Sequence, residues 1–172
     1  AGAPIAVQSC KASLRSHAAE VSCLGSSNGW IVSGSYDKSL CFWPWGAQDA
    51  QPASRAHKNA HEGAVLALCC VGCVLVSCAV DSTMAVWDVE TETLLCSFST
   101  HAPIAYSLLA APPPPPGASG EPPSAGCELA TLYSGDVNDL VKVWRMWRTP
   151  EGRVRVEPRS CLPCHSDVVF SM

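Results

Sequence analysis

Three sets of histidine, serine and an acid or amide, and one Cys-x-x-Cys-His segment, are the residues of this sequence whose types and spacing could do chemistry. Ser33 follows His17 by 16 residues and Asp37 follows it by 20, and His61, Ser77 and Asp81 repeat both intervals. His101, Ser134 and Asn138 form a third set, with an amide in place of the carboxylate. Serine, histidine and acid are the parts of a hydrolytic triad, in which the histidine takes the serine proton and an oxyanion site holds the developing charge. Cys161, Cys164 and His165 have the spacing that attaches a c-type haem through two thioethers and an axial ligand.

Both chemistries fail on the surrounding pattern. A nucleophilic serine faces a substrate with oxyanion donors beside it. Here the set occurs three times, and each serine is followed ten residues later by a tryptophan: Trp43, Trp87 and Trp144. The haem reading fails because His165 opens "CHSDVVFSM", the fourth occurrence of a histidine followed by a short apolar segment. His17, His61, His101 and His165 thus form one series, and only His57 lies outside it. Cys161 and Cys164 are expected in or beside an outer strand. No catalytic residue and no cofactor is expected.

The elements that must position these residues are short strands. "IVSGSYDKSLCFWPW" from Ile31, "LVSCAVDSTMAVWDV" from Leu75 and "LYSGDVNDLVKVWRM" from Leu132 align without gaps. Apolar and β-branched residues flank the Asp or Asn on both sides, the pattern of two strands joined by a tight turn. Upstream, "SHAAEVSCL", "AHEGAVLAL" and "THAPIAYSLL" supply a preceding strand. In the third unit both histidine intervals grow by 17 residues, and the extra length lies in "APPPPPGASGEPPSAGC".

A period near 40 residues, with four short strands per unit and a closing Trp-Asp, is the mark of a propeller. The units resemble WD repeats from about Ser9 to Met172, with the family's full ending in "VWD" at Val86–Asp88. The other two units end in Trp43-Pro44 and Trp144-Arg145, which departs from the pattern but keeps the tryptophan. The resemblance implies an all-β propeller segment of about three four-stranded blades with the ring incomplete. The units span about 9–58, 59–98 and 99–158, a fourth starts over 161–172, and a Pro-rich insertion occupies 111–126. The resemblance also implies a role for each set. On strands a to d, counted from the centre outward, the strand-c tryptophan donates to the strand-b serine, the serine bonds the histidine, and the histidine bonds the turn acid. The expected structural tetrads are His17–Ser33–Asp37–Trp43, His61–Ser77–Asp81–Trp87 and His101–Ser134–Asn138–Trp144, the third weakened by the missing charge.

Function is then expected on a face of the propeller. Strand alternation sends Val21, Val65, Val169 and Ala105 into the sheet packing and their neighbours toward the channel mouth. Those neighbours are Glu20 and Ser22, Ala64 and Leu66, Ile104 and Tyr106, and Val168 and Phe170. Tyr36, Val80 and Val137, each preceding a turn Asp or Asn, join them. The set is apolar and aromatic apart from Glu20 and Ser22, which suits a partner protein or peptide offering a hydrophobic anchor.

Composition narrows the classes. Of 172 residues 48% are apolar and 15% charged, with net charge −4, which argues against a nucleic-acid surface. No apolar run is long enough for a membrane span, and the N-terminus lacks the build of a signal peptide. The eleven cysteines are therefore expected as reduced thiols in an intracellular, cytoplasmic or nuclear setting. Cys69 and Cys70 should end strand a of unit two and Cys73 open strand b, as small core residues and not as zinc ligands. No metal and no small-molecule substrate is evident. The proline run Pro112–Pro116, with Pro122 and Pro123, is expected in a surface loop on the opposite face. "PASRAHK" makes a poor outer strand for unit one, whereas "ETLLCSF" and "RVRVEP" read well. A three-blade arc exposes two sheet faces, so the chain is expected to be part of a longer protein or to need partner chains. The favoured function is a non-catalytic interaction scaffold in an intracellular complex. The alternative is a regulatory or substrate-recognition segment of a larger enzyme or ubiquitin-ligase assembly whose catalytic part lies outside this chain.

Overall fold

Among the described residues twelve strands form three successive four-stranded antiparallel meanders. The structure is a computed structural model, and it describes residues 13–46, 55–100, 105–113, 127–137 and 140–163. The first sheet is β1 (Val21–Ser27), β2 (Trp30–Ser35), β3 (Leu40–Pro44) and β4 (Arg55–His57). The second is β5 (Val65–Val71), β6 (Val74–Ala79), β7 (Thr83–Asp88) and β8 (Thr93–Ser99). The third is β9 (Ala105–Ala111), β10 (Cys127–Asp136), β11 (Leu140–Arg148) and β12 (Val154–Pro163). In each sheet, spatial order equals chain order.

Local chemistry sets the corners. Asn28 and Gly29 both have positive φ, 47° and 80°, the two-residue turn whose twist matches a right-handed hairpin. Gly72 (φ 55°) serves the β5–β6 corner, and Cys73 lies in that turn instead of opening the next strand. Among the described residues the first outer strand is Arg55–His57, within "PASRAHK", which supplies no alternating apolar face, and it pairs as Leu40↔His57, Cys41↔Ala56 and Phe42↔Arg55.

The three sheets are blades of an open arc, with β1 packed on β5 and β5 on β9 along its inner side. The core lies between blades. Val32, Leu40 and Phe42 of blade one meet Leu68, Leu75 and Trp87 of blade two. Val76, Met84 and Val86 of blade two meet Leu108, Leu132 and Trp144 of blade three. Each such side chain contributes about 1.5–3 kcal/mol by leaving water. The blades approach closely at Gly34, where an added Cβ would come within 2.7 Å of both Cys23 Sγ and Val65 Cγ1.

The outer strand joins this packing at one register position. His57, Phe98 and Leu162 pair with Leu40, Met84 and Val141, equivalent residues of the three blades. His57 stacks on Trp87 of blade two at 5.1 Å, and Phe98 on Trp144 of blade three at 5.8 Å. The histidine outside the series therefore occupies a core position between blades.

Among the described residues no sheet stands in front of blade one. Val21 and Leu24 are 52% and 67% exposed, whereas the matching Val65 and Leu68 of blade two are 0% and 9% exposed. The expected burial holds for Val65 and Ala105 and fails for Val21, because no sheet among the described residues packs on blade one's leading face. An open groove of about 520 Å³ lies there, lined by Leu14, His17, Val21, Leu24, Ile31 and Trp43 among others.

Candidate functional site

The histidines enter each blade just before strand a, and the acids sit in the b–c turns at the same edge. In blade one Trp43 Nε1 donates to Ser33 Oγ at 2.9 Å, and His17 Nε2 lies 2.7 Å from the same oxygen. His17 Nδ1 reaches Asp37 Oδ2 at 3.2 Å and Ser39 Oγ at 2.8 Å. In blade two Trp87 Nε1 donates to Ser77 Oγ at 3.0 Å, and His61 Nε2 is 2.7 Å from it. One proton assignment satisfies every member: the serine accepts from indole and donates to Nε2, leaving Nδ1–H to donate onward.

Blade two departs from the expected direct histidine–acid bond. His61 Nδ1 is 3.7 Å from Asp81 Oδ2, beyond hydrogen-bond reach, and lies 2.7 Å from Thr83 Oγ1 instead. Thr83 Oγ1 in turn donates to Asp81 Oδ1 at 2.6 Å. The hydroxyl two residues past the acid is thus a fifth member of the latch, and Ser39 holds the same place in blade one. The signal was legible as Asp-x-Ser and Asp-x-Thr, the side-chain-to-backbone turn that these residues favour. Ser39 and Thr83 also donate their backbone N–H to the carboxylate, each at 2.9 Å. Ala18 in blade one, and Glu62 and Gly63 in blade two, add backbone N–H groups from the histidine side.

Blade three uses different parts. Trp144 Nε1 donates to Ser134 Oγ at 2.9 Å. His101 and Asn138 lie outside the described residues. The buried acid of this blade is Asp136, 1% exposed, and Lys142 Nζ stands 2.8 Å from its Oδ2. Lys142 pairs with Ser134 across the strands. At the two corresponding positions blade one has Ser35 and Cys41, and blade two has Ala79 and Ala85. Sequence reasoning missed this pair because it followed the aligned Asn138.

The latch is sensitive to acid. Burial pushes the His61 imidazole below its ordinary value, against the opposing charge of Asp81. For Asp81, burial alone would raise the carboxyl. The hydroxyl and N–H of Thr83, with the N–H groups of Gly63 and Glu62, outweigh it and hold the carboxyl below the usual range. Both groups are depressed in the folded state, so both contribute stability that is present above their unfolded values and lost as pH falls. The losses begin near pH 6.5 for the histidine and near pH 4 for the acid, approximate unfolded values. The urea midpoint should therefore drop from pH 7.5 to pH 5, and a His61→Gln chain should show a shallower drop. A profile as steep in that chain as in the parent would contradict this.

The residues expected to meet a partner gather at the same edge as the latches. Tyr36 N–H donates to Glu20 O at 3.1 Å, and Val80 N–H to Ala64 O at 2.9 Å, which seats each b–c turn against the start of strand a. The a–b register slips once in every blade, between Val21 and Cys23, between Val65 and Ala67, and between Ala105 and Ser107. The residues in the three bulges are Ser22, Leu66 and Tyr106. A bulge re-aims the extra side chain and twists the strand locally. Tyr36 is 52% and Val80 43% exposed, Glu20 is exposed, and Ala64, Leu66, Tyr106 and Val137 are half-buried. Ser22 Oγ is engaged, donating to Val65 O of blade two at 2.6 Å. Ile104, Val168 and Phe170 lie outside the described residues, as do His165, Cys164 and Val169.

The family model "WD domain, G-beta repeat" matches residues 8–44 and 54–88. Residues 8–44 and 54–88 are thus two WD40 repeats. The matched stretches cover the first two WD40 units, and the third keeps the four-stranded order and the Trp–Ser bond. Among solved structures, the crystal structure of the computationally designed Ika4 protein is 20% identical with a TM-score of 0.58, over 90% of this chain and 100% of that one. The crystal structure of RRP9 WD40 repeats and the structure of U3-55K are each 20% identical with a TM-score of 0.65, over 92% of this chain. The chain spans 43% of the length of each of those two chains. At such identities the likeness establishes the fold alone. No curated protein matches at the sequence level.

Among the described residues no helix is long and apolar enough to cross a membrane, and no three His, Cys, Asp or Glu side chains stand together as a metal site. The described cysteines are free thiols. Burial pushes Cys69 up to about 12 and Cys70 up to about 11, and raises Cys78 as well. These thiols stay protonated and pack as small apolar groups. Cys161 lies in β12.

Proposed function

We propose that this chain is a non-catalytic protein-interaction scaffold that binds a partner protein or peptide through the edge carrying its b–c turns, within an intracellular complex. The observation that carries the reading is the bulge at one position in all three blades. It turns Ser22, Leu66 and Tyr106 out of regular pairing beside Tyr36, Val80 and Val137. Apolar and aromatic side chains backed by a rigid latch lose little entropy when a partner covers them. The latch serines support the non-catalytic part, since Ser33, Ser77 and Ser134 are buried and already accept from tryptophan. Free thiols agree with a reducing compartment.

The test is affinity capture from a cell lysate with the parent chain and with a Tyr36→Ala, Tyr106→Ala chain of unchanged melting temperature. Aromatic anchors at an interface cost upwards of about 1–2 kcal/mol each when truncated, so partners held by the parent should be lost from the variant. Equal capture by both chains would remove this edge as the binding surface.

A further inference from the structure

The outer rim between blades two and three carries a second surface, independent of the edge just described. β8 and β12 are the terminal strands of neighbouring sheets. A terminal strand leaves alternate N–H and C=O groups without a sheet partner, and proteins guard such edges with charge, proline or brevity. β12 is guarded by Arg155, Glu157, Pro158 and Arg159. β8 reads "TLLCSFS" over seven residues, with no charged residue and no proline, and each of its residues is exposed or half-buried.

The unguarded edge faces a groove. Residues 94–98 of β8 form one wall and residues 152–156 the other, around an open cavity of about 610 Å³. Five consecutive residues of β8 mean that the groove runs along that strand, for about 17 Å at 3.3–3.4 Å per residue, while the far wall joins the β11–β12 turn at Gly152 and Arg153 to the first residues of β12. The far wall brings two exposed arginines, Arg153 and Arg155. Burial raises the Cys96 thiol, and Arg155 is near enough for its charge to oppose that rise. The groove therefore joins a neutral backbone edge to a cationic wall. Glu151 and Glu157 flank the arginines in sequence, which limits the charge the site takes to one or two acids.

We propose that β8 is a strand-addition site for an extended peptide in which apolar and acidic residues alternate, its backbone pairing with β8 and its carboxylates meeting Arg153 and Arg155. Main-chain bonds give such a site affinity and alternate side chains give it specificity. The probe is a fluorescein-labelled Val-Glu-Val-Glu-Val-Glu peptide, titrated by fluorescence anisotropy at low salt. The parent chain should bind it, and a chain with Arg153→Glu and Arg155→Glu should bind roughly tenfold more weakly. The same variant should gain affinity for Val-Lys-Val-Lys-Val-Lys, a swap that a damaged fold would not produce. N-methylation of alternate peptide amides should abolish binding to the parent. No binding by the parent, equal binding by the charge-reversed chain, or undiminished binding of the N-methylated peptide would each overturn the proposal.

Discussion

Ser77→Ala should lower the unfolding free energy by about 2–6 kcal/mol, measured by urea denaturation at pH 7.5. The hydroxyl stands between two buried groups, the Trp87 indole N–H and His61 Nε2, at 3.0 and 2.7 Å. Alanine leaves both without a partner, and each orphaned buried group costs about 1–3 kcal/mol. Ser77 is fully buried, and blade one packs over this face of blade two. Ser33→Ala makes the control. Its bonds have nearly the same lengths, but it borders the open groove on the leading face of blade one, where water can replace the hydroxyl. The loss there should be clearly smaller. Equal losses at both positions would show that the neighbouring blade does not seal the latch.

Lys142→Met should cost about 3–5 kcal/mol, the usual penalty for stranding one member of a buried ion pair. The Lys142 side chain is 14% exposed and that of Asp136 1%, with 2.8 Å between charged atoms. The Leu140 N–H at 3.3 Å remains as a donor to the carboxylate but cannot neutralise it. Combining Lys142→Met with Asp136→Leu should restore most of the loss, since a packed apolar pair of similar volume is often as stable as the ions it replaces. A single substitution that leaves the urea midpoint unmoved would mean that Asp136 draws its support elsewhere.

Spacing along the chain made most of this fold legible. Histidine, serine, acid and tryptophan recur at intervals of 16, 4 and 6 residues in the first two units, and such intervals have meaning only if strands alternate and corners are tight. Other parts could not be read for physical reasons. Asp-x-Ser and Asp-x-Thr mark Ser39 and Thr83 as turn hydroxyls, but that local signal carries no mark of the bond each makes to a histidine 22 residues away. Asp136 and Lys142 lie six residues apart in a unit whose aligned acid position is Asn138, and only the hairpin brings them face to face. The poor outer strand in "PASRAHK" was legible, but its anchor was not: His57 is fixed by Phe42 on one side and Trp87 on the other, contacts set by the blade arrangement. The bulges that re-aim Ser22, Leu66 and Tyr106 leave no compositional trace, since the residues around them alternate as if the strand were regular.

The two ends of each blade differ in how much change they tolerate. In blade three the pairing of β9 with β10 runs from Ala105↔Asp136 to Ala111↔Thr131, as in the shorter hairpins, although the connection between them is far longer. Lengthening a surface connection costs only about 0.6 kcal/mol per doubling. At the opposite corner a single extra residue would slip the facing strand by one step and turn every side chain over. Lineages can therefore lengthen, decorate or replace the first corner freely, whereas the second is frozen at its present count. New recognition elements would be grafted onto this scaffold on the side away from its latches.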